Sequence, residues 1–165
     1  MSEKRSRHLF WLTMVAALVL QLLELPGWLA AIRPPFVPMA VAYWALTTGP
    51  QPTGVLGAWL AGLMLDVLLG TVLGQHALGL VIIVFMVRQS RNFLVLFPVW
   101  QAGAILTPLW LLYTFLMFWI DGVTGHQADP WMRWLPVISA ALLWPAVAGA
   151  IAALRRRAQE DSARL

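Results

Sequence analysis

The sequence predicts an all-α integral membrane protein, a bundle of about six transmembrane helices with the N-terminus and C-terminus cytoplasmic. Three observations predict it. Hydrophobic residues fill 61% of the 165 positions and charged residues only 11%. A soluble domain averages about 45–50% and about 25%, so there are too few charges here to cover a water-facing surface. The apolar residues fall into six runs, and a spanning helix takes roughly 20 residues, which leaves no length for a separate soluble domain. Basic residues collect at alternate breaks between those runs.

The N-terminal MSEKRSRH is polar and basic, and Leu9 to Leu25 is almost uninterrupted apolar sequence up to Pro26-Gly27. The competing reading, a signal peptide, fits poorly, because the run exceeds a typical signal core and Glu24-Leu25-Pro26-Gly27-Trp28 is not a small-residue cleavage site. Phe36 to Thr48 follows Arg33-Pro34-Pro35 and stops at Gly49-Pro50-Gln51-Pro52, a breaker cluster that reads as a turn. It is short for a span. Val55 to Leu73 is a full-length span carrying Asp66, and Gly70, Gly74 and Gln75-His76 lead into a second short run, Ala77 to Val87. Phe93 to Ile120 is too long for one upright span, and Pro98 marks where an interfacial lead-in gives way to the span proper. Asp121 closes that span, a polar loop follows to Asp129, and Met132 to Leu154 completes the set. The organisation is therefore a basic tail at 1–8, one transmembrane helical domain at 9–154, and a second basic tail at 155–165.

With six crossings, Lys4, Arg5, Arg7, Arg88, Arg91, Arg155, Arg156, Arg157 and Arg164 lie on the cytoplasmic side and only Arg33 and Arg133 outside. Nine against two is the direction of the positive-inside rule. If one short run failed to cross, the balance would become four inside and seven outside. If both were re-entrant it would return to nine against two, so charge alone does not separate six spans from four. The Gly49 to Pro52 turn favours six.

In the third run Gly54, Ala58, Gly62, Asp66, Gly70 and Gly74 recur at intervals of four, forming an inclined ridge on one helix. Small residues let backbones approach closely in lipid, so the ridge serves either packing within the chain or a partner's transmembrane helix. Asp66 shares this ridge, and a carboxylate near the bilayer centre costs about 2.5–3.5 kcal/mol on insertion scales, so it should face protein. A buried polar latch of Asp66 with Gln75, His76 or backbone N–H groups follows as the expectation. Pro145 is expected to kink the last span, where Ala141, Gly149 and Ala153 are again small. Trp11, Trp28, Trp100, Trp119, Trp131 and Trp134 lie near span ends, where interfacial belts place them.

Catalytic and metal signals are weak. His8, His76 and His126 form no pair at metal-ligand spacing, no phosphate loop or nucleophile elbow is present, and no cofactor is expected. Cysteine is absent, which excludes a disulfide-stapled module. The basic residues sit at span ends rather than along one polar face, so no nucleic acid is expected. Asp66 and Asp121 raise the alternative of an intramembrane aspartyl hydrolase, although the only asparagine, Asn92, lies in a basic loop. The other alternative is the substrate-binding membrane subunit of a small-molecule transporter, whose polar groups would have to converge on a cavity. The loop at Arg33 and at Asp121 to Asp129, and the basic groups Arg88, Arg91, Arg155, Arg156 and Arg157, are the extramembrane contact surfaces available to partners or to the lipid bilayer.

From Arg33 onward the motifs resemble the rod shape-determining protein MreD family. The resemblance rests on Arg33-Pro34 followed by Trp44, on Gly57-Ala58-Trp59, on Gly62-Leu63-Met64-Leu65-Asp66-Val67-Leu68, on Gly70, on Leu73-Gly74-Gln75-His76-Ala77-Leu78, and on Leu96-Phe97-Pro98-Val99-Trp100-Gln101. The DVLLGTVLGQHAL block is its most specific part. Members commonly show Arg-Pro-Asp near the second span, whereas Pro35 takes the acidic position here. The resemblance implies a multi-pass inner-membrane protein of Gram-negative bacteria without known catalytic activity, a scaffold of the elongasome that supports lateral peptidoglycan synthesis and rod cell shape. It further implies direct binding of MreC, with MreB, RodA and its transpeptidase as direct or indirect partners. The family bundle is also similar in outline to the substrate-binding subunits of vitamin transporters. On this view the ridge Gly54, Ala58, Gly62, Gly70, Gly74 is the groove for MreC's single helix.

Overall fold

A computed structural model describes residues 3–23, 26–47, 53–125 and 131–163. Among them every regular element is helical: α1 (Glu3–Leu22), α2 (Trp28–Ala31), α3 (Phe36–Thr47), α4 (Thr53–Leu69), α5 (Gln75–Gln89), α6 (Arg91–Leu94), α7 (Val99–Ile105), α8 (Thr107–Thr124) and α9 (Leu135–Ala163), with a short 3-10 turn at Met132–Trp134. The Gly49 to Pro52 turn, Glu24, Asp129 and Arg164 lie outside the described residues.

Two helical stretches are long and apolar enough to cross a membrane, Leu29–Thr47 and Met132–Glu160. A third is counted if α7 and α8, bent by 42° at their junction, form one span. The expected lengths need correcting in two places. The Val55 to Leu73 run is not full length as a helix, since α4 ends at Leu69. The Phe36 run, expected to be short, gains the Leu29 to Pro35 segment and passes. With 17 and 15 residues, α4 and α5 are about 25 and 22 Å long at ~1.5 Å per residue, less than the ~30 Å of a hydrocarbon core. The basic tails are continuations of helices, because α1 begins at Glu3 and α9 runs to Ala163.

The central element is α3. All nine residues from Val37 to Ala45 are buried, because α1, α5 and α9 surround the helix and α4 touches it. A helix enclosed on every side has no use for a polar face, which is why this run shows no amphipathic period. The outer faces are apolar too: Val15 and Val19 on α1, Leu56 and Val67 on α4, Phe115 and Trp119 on α8, and Ile138 and Leu142 on α9 are all exposed. A surface apolar inside and out suits hydrocarbon rather than water as its solvent.

Specific contacts set the helix directions. Trp44 Nε1 near the end of α3 donates to Thr13 Oγ1 in the middle of α1 at 2.8 Å. The guanidinium of Arg155 stacks over the Trp44 ring at 5.0 Å, and Arg88 at the end of α5 lies against Gly54 at the start of α4. At the opposite end the last turn of α1 meets the start of α3. Arg33 donates to the carbonyls of Gln21 (2.6 Å) and Leu23, while Phe36 N–H donates to Gln21 Oε1 at 2.8 Å. One residue caps the orphan carbonyls of α1 and the other an orphan N–H of α3. Arg7, Arg88, Arg91 and Arg155 to Arg157 thus belong to one end of the bundle, and Arg33 and Arg133 to the other.

Candidate functional site

The densest polar structure lies where α4 turns into α5. Gly70 takes a positive φ of 66° just past α4, and Thr71 N–H donates to the Asp66 carbonyl at 3.0 Å. This six-to-one bond with a left-handed glycine is a Schellman ending, and it explains why the helix stops four residues before the apolar run does. Gly74, at φ 96°, then starts α5. Both are loop residues with open space where a Cβ would be.

The Asp66 side chain, 1% exposed, fills the gap between these two ends. Its Oδ1 accepts hydrogen bonds from Thr71 Oγ1 and His76 N–H, both at 2.9 Å, and lies 2.8 Å from His76 Nδ1. Its Oδ2 accepts from Gly74 N–H at 2.9 Å. A carboxylate of one helix thereby caps the first turn of the next, where orphan N–H groups and the positive end of the helix dipole favour a negative charge. Asp66 sits in the last turn of α4, near the end of the helix rather than its middle.

Of the proposed latch residues, His76 meets Asp66, but Gln75 does not. Gln75 Nε2 donates to Asp121 Oδ1 at 2.8 Å on the neighbouring helix, and Asp121 Oδ2 pairs with Arg133 Nη2 at 2.5 Å. Adjacent residues of α5 therefore hold opposite flanks, His76 towards α4 and Gln75 towards α8. Gly79 continues the second seam, since a Cβ there would lie 2.7 Å from the Tyr113 ring. Asp66 and Asp121 are each held by their own partners.

Of the two uses expected of the ridge, the fold shows packing within the chain. A Cβ on Gly62 would lie 2.5 Å from Ala77 N and 2.9 Å from His76 C, and closer still to Ala77 Cα, while Ala58 is fully buried. The flank formed by Gly54, Ala58 and Gly62 is occupied by α5 of the same chain, and Gly70 and Gly74 belong to the turn. It is a seam between two helices of the same chain.

Arg33 and Asp121, expected as loop contacts, are used within the fold, as is Arg155. Arg88 packs on Gly54, while Arg91, Arg156 and Arg157 lie at the same end of the bundle. Sequence reasoning passed over Thr71, Arg133 as the partner of Asp121, and Gln21 as the partner of Arg33. Thr71 had a signal, since Asp-x3-Gly-Thr-x2-Gly-Gln-His carries a glycine at each helix end. The other two pairings join residues whose proximity only the fold creates.

Comparison with known proteins gives a consistent result. The sequence profile of the rod shape-determining protein MreD matches residues 3–152. The chain is similar to the rod shape-determining protein MreD of Haemophilus influenzae, 26% identical over 145 residues that cover 87% of this chain and 88% of that protein. No solved structure matches. With nearly its whole length covered, and the most specific block lying on the Asp66 to His76 cap, the chain belongs to the MreD family of rod shape-determining proteins.

Proposed function

We propose that this protein is a non-catalytic scaffold of the bacterial inner membrane, crossing it six times with both termini in the cytoplasm, and that it binds MreC to support lateral peptidoglycan synthesis. Family membership supplies the role in rod shape. The observation that carries the scaffold reading is how the ionisable groups inside the bundle are used. Asp66 is capped by Thr71, Gly74 and His76, and Asp121 by Gln75 and Arg133. Groups already committed to one another stiffen a bundle and are poorly placed to bind or transform a substrate. The unpartnered surface is apolar and faces outward.

The topology reading is supported by the gathering of basic side chains at one end, the arrangement that the positive-inside rule sets for the cytoplasm. The short α4 and α5 hairpin is compatible with crossing if the bilayer thins locally or flanking residues complete the span, at a cost of fractions of a kcal/mol per Å. MreC's single helix then docks on an outward face, and the exposed flank of α4 with Leu56, Met64 and Val67 is one such surface.

Affinity purification of the tagged chain from inner membranes after cross-linking tests the reading. MreC should co-purify, and should do so undiminished with Asp121→Asn. Its absence would overturn the scaffold assignment. Because the chain has no cysteine, Ser90→Cys should label only from the cytoplasm and Gly125→Cys only from the periplasm; the reverse pattern would overturn the topology.

A further inference from the structure

Between α5 and α8 the chain makes an elbow rather than a turn. Helix α6 leads through Phe97 to Pro98, which is extended and starts α7, and α7 then bends into α8 at Leu106. The inner side of this elbow is fixed to the bundle: Leu94, Ala102 and Leu106 are buried, and a Cβ on Gly103 would lie 2.8 Å from the Ala141 carbonyl oxygen of α9. The outer side is different. Phe93, Val95, Leu96, Val99 and Trp100 are each more than half exposed, and Leu96 reaches 77%.

The charge pattern beside this run is one-sided. Arg91 opens the elbow, and the sequence contains no acidic residue between Asp66 and Asp121. Among the described residues no ion pair involves Arg91. The neighbouring Ser90 and Asn92 are exposed and polar. A guanidinium with no ion pair among the described residues, followed within two residues by an exposed apolar run, is complementary to a molecule anionic at one end and hydrocarbon at the other.

We propose that the elbow seats an anionic phospholipid of the membrane leaflet at the basic end of the bundle. Its phosphate lies on Arg91 beside Ser90 and Asn92, and its acyl chains run along Phe93, Leu96 and Trp100. Trp100 is suited to the interfacial depth this requires, with an apolar ring and one N–H. A zwitterionic lipid fits less well, because its own cation already neutralises the phosphate. The proposal rests on reading the basic end as a bilayer surface.

The test uses the full-length protein in detergent, titrated with phosphatidylglycerol or phosphatidylcholine and read by native mass spectrometry. Wild type should retain phosphatidylglycerol in preference to phosphatidylcholine. Arg91→Gln should weaken the phosphatidylglycerol adduct about fivefold, the equivalent of about 1 kcal/mol for one basic residue at the surface, and Arg156→Gln should not. A nitroxide on Leu96→Cys in phosphatidylglycerol vesicles should be relaxed by oxygen more than by a water-soluble nickel chelate. Equal retention of the two lipids by wild type, an unchanged adduct in Arg91→Gln, or a label open to the nickel chelate would each overturn the proposal. So would loss of a bound protein from Arg91→Gln with lipid retention unchanged. If Arg91→Gln fails to accumulate, the wild-type lipid preference and the label at 96 decide the question. Periplasmic labelling of Ser90→Cys would overturn the topology while leaving the lipid preference to be judged separately.

Discussion

Replacing Gly62 by alanine should separate α4 from α5. The added methyl carbon would stand 2.5 Å from Ala77 N and 2.9 Å from His76 C, where ordinary contact begins at 3.4 Å. Both obstacles are backbone, so no rotamer change relieves them and the helices must part by about 1 Å. Overpacking of this kind costs typically 1–3 kcal/mol, and the upper end applies because the Asp66 cap lies one turn away and shares the same two helices. Alanine also returns up to about 1 kcal/mol of helix propensity over glycine, leaving a net loss of about 2 kcal/mol. Gly149→Ala is the internal control, since a Cβ there meets nothing within 4 Å and only the propensity gain remains. The two variants should therefore differ by about 3 kcal/mol in reversible unfolding in mixed micelles, with Gly62→Ala the less stable. A Gly62→Ala protein as stable as wild type, with its α4 to α5 cross-links intact, would refute the close-packed seam. If that same protein had lost MreC, the ridge would be a partner groove after all.

The remaining predictions concern the polar ties. Asp66→Asn should be destabilising by about 1–3 kcal/mol, because its amide NH2 must face either the Gly74 N–H or the Thr71 hydroxyl and His76 N–H, and Asp66→Leu by more, because the Gly74 and His76 N–H groups lose their acceptor; unfolding midpoints of the two variants, equal to each other and to wild type, would dismiss the cap. Gln75→Leu should loosen α5 from α8 while leaving the α4 turn intact, so hydrogen exchange should rise around Met117 to Asp121 and stay unchanged at Gly74 and His76; the opposite pattern would contradict the division of labour between neighbouring residues. Arg33→Lys should cost about 1 kcal/mol, because an ammonium is a compact point charge and does not present the planar fork that spans the Gln21 and Leu23 carbonyls; unchanged exchange protection in the last turn of α1 would count against that clasp.

Much of the fold was legible because lipid imposes crude rules. The all-helical class, the six apolar runs and the break at Pro98 follow from residue composition and spacing. Helix lengths were less legible. Val67 to Leu73 keeps an apolar average despite Gly70-Thr71, yet the left-handed Gly70 ends α4 at Leu69, and hydropathy carries no information about backbone dihedral angles. The second break, at Leu106, carries a signal of its own in Thr107-Pro108, a proline in the first turn of α8, which hydropathy alone passes over.

The site shows the same division. The sequence by itself determined that Asp66 needed protein partners and that His76 and backbone N–H groups were close enough along the chain to serve. That inference needed only local spacing and the cost of a charge in hydrocarbon. Only the tertiary structure decided that Gln75 turns away to Asp121, that Arg133 completes that pair, and that α5 occupies the small-residue ridge. Those outcomes depend on which helix stands beside which, and for helices apolar on every face the choice of neighbour is made by shape complementarity at a few glycines, which no periodicity in the chain records.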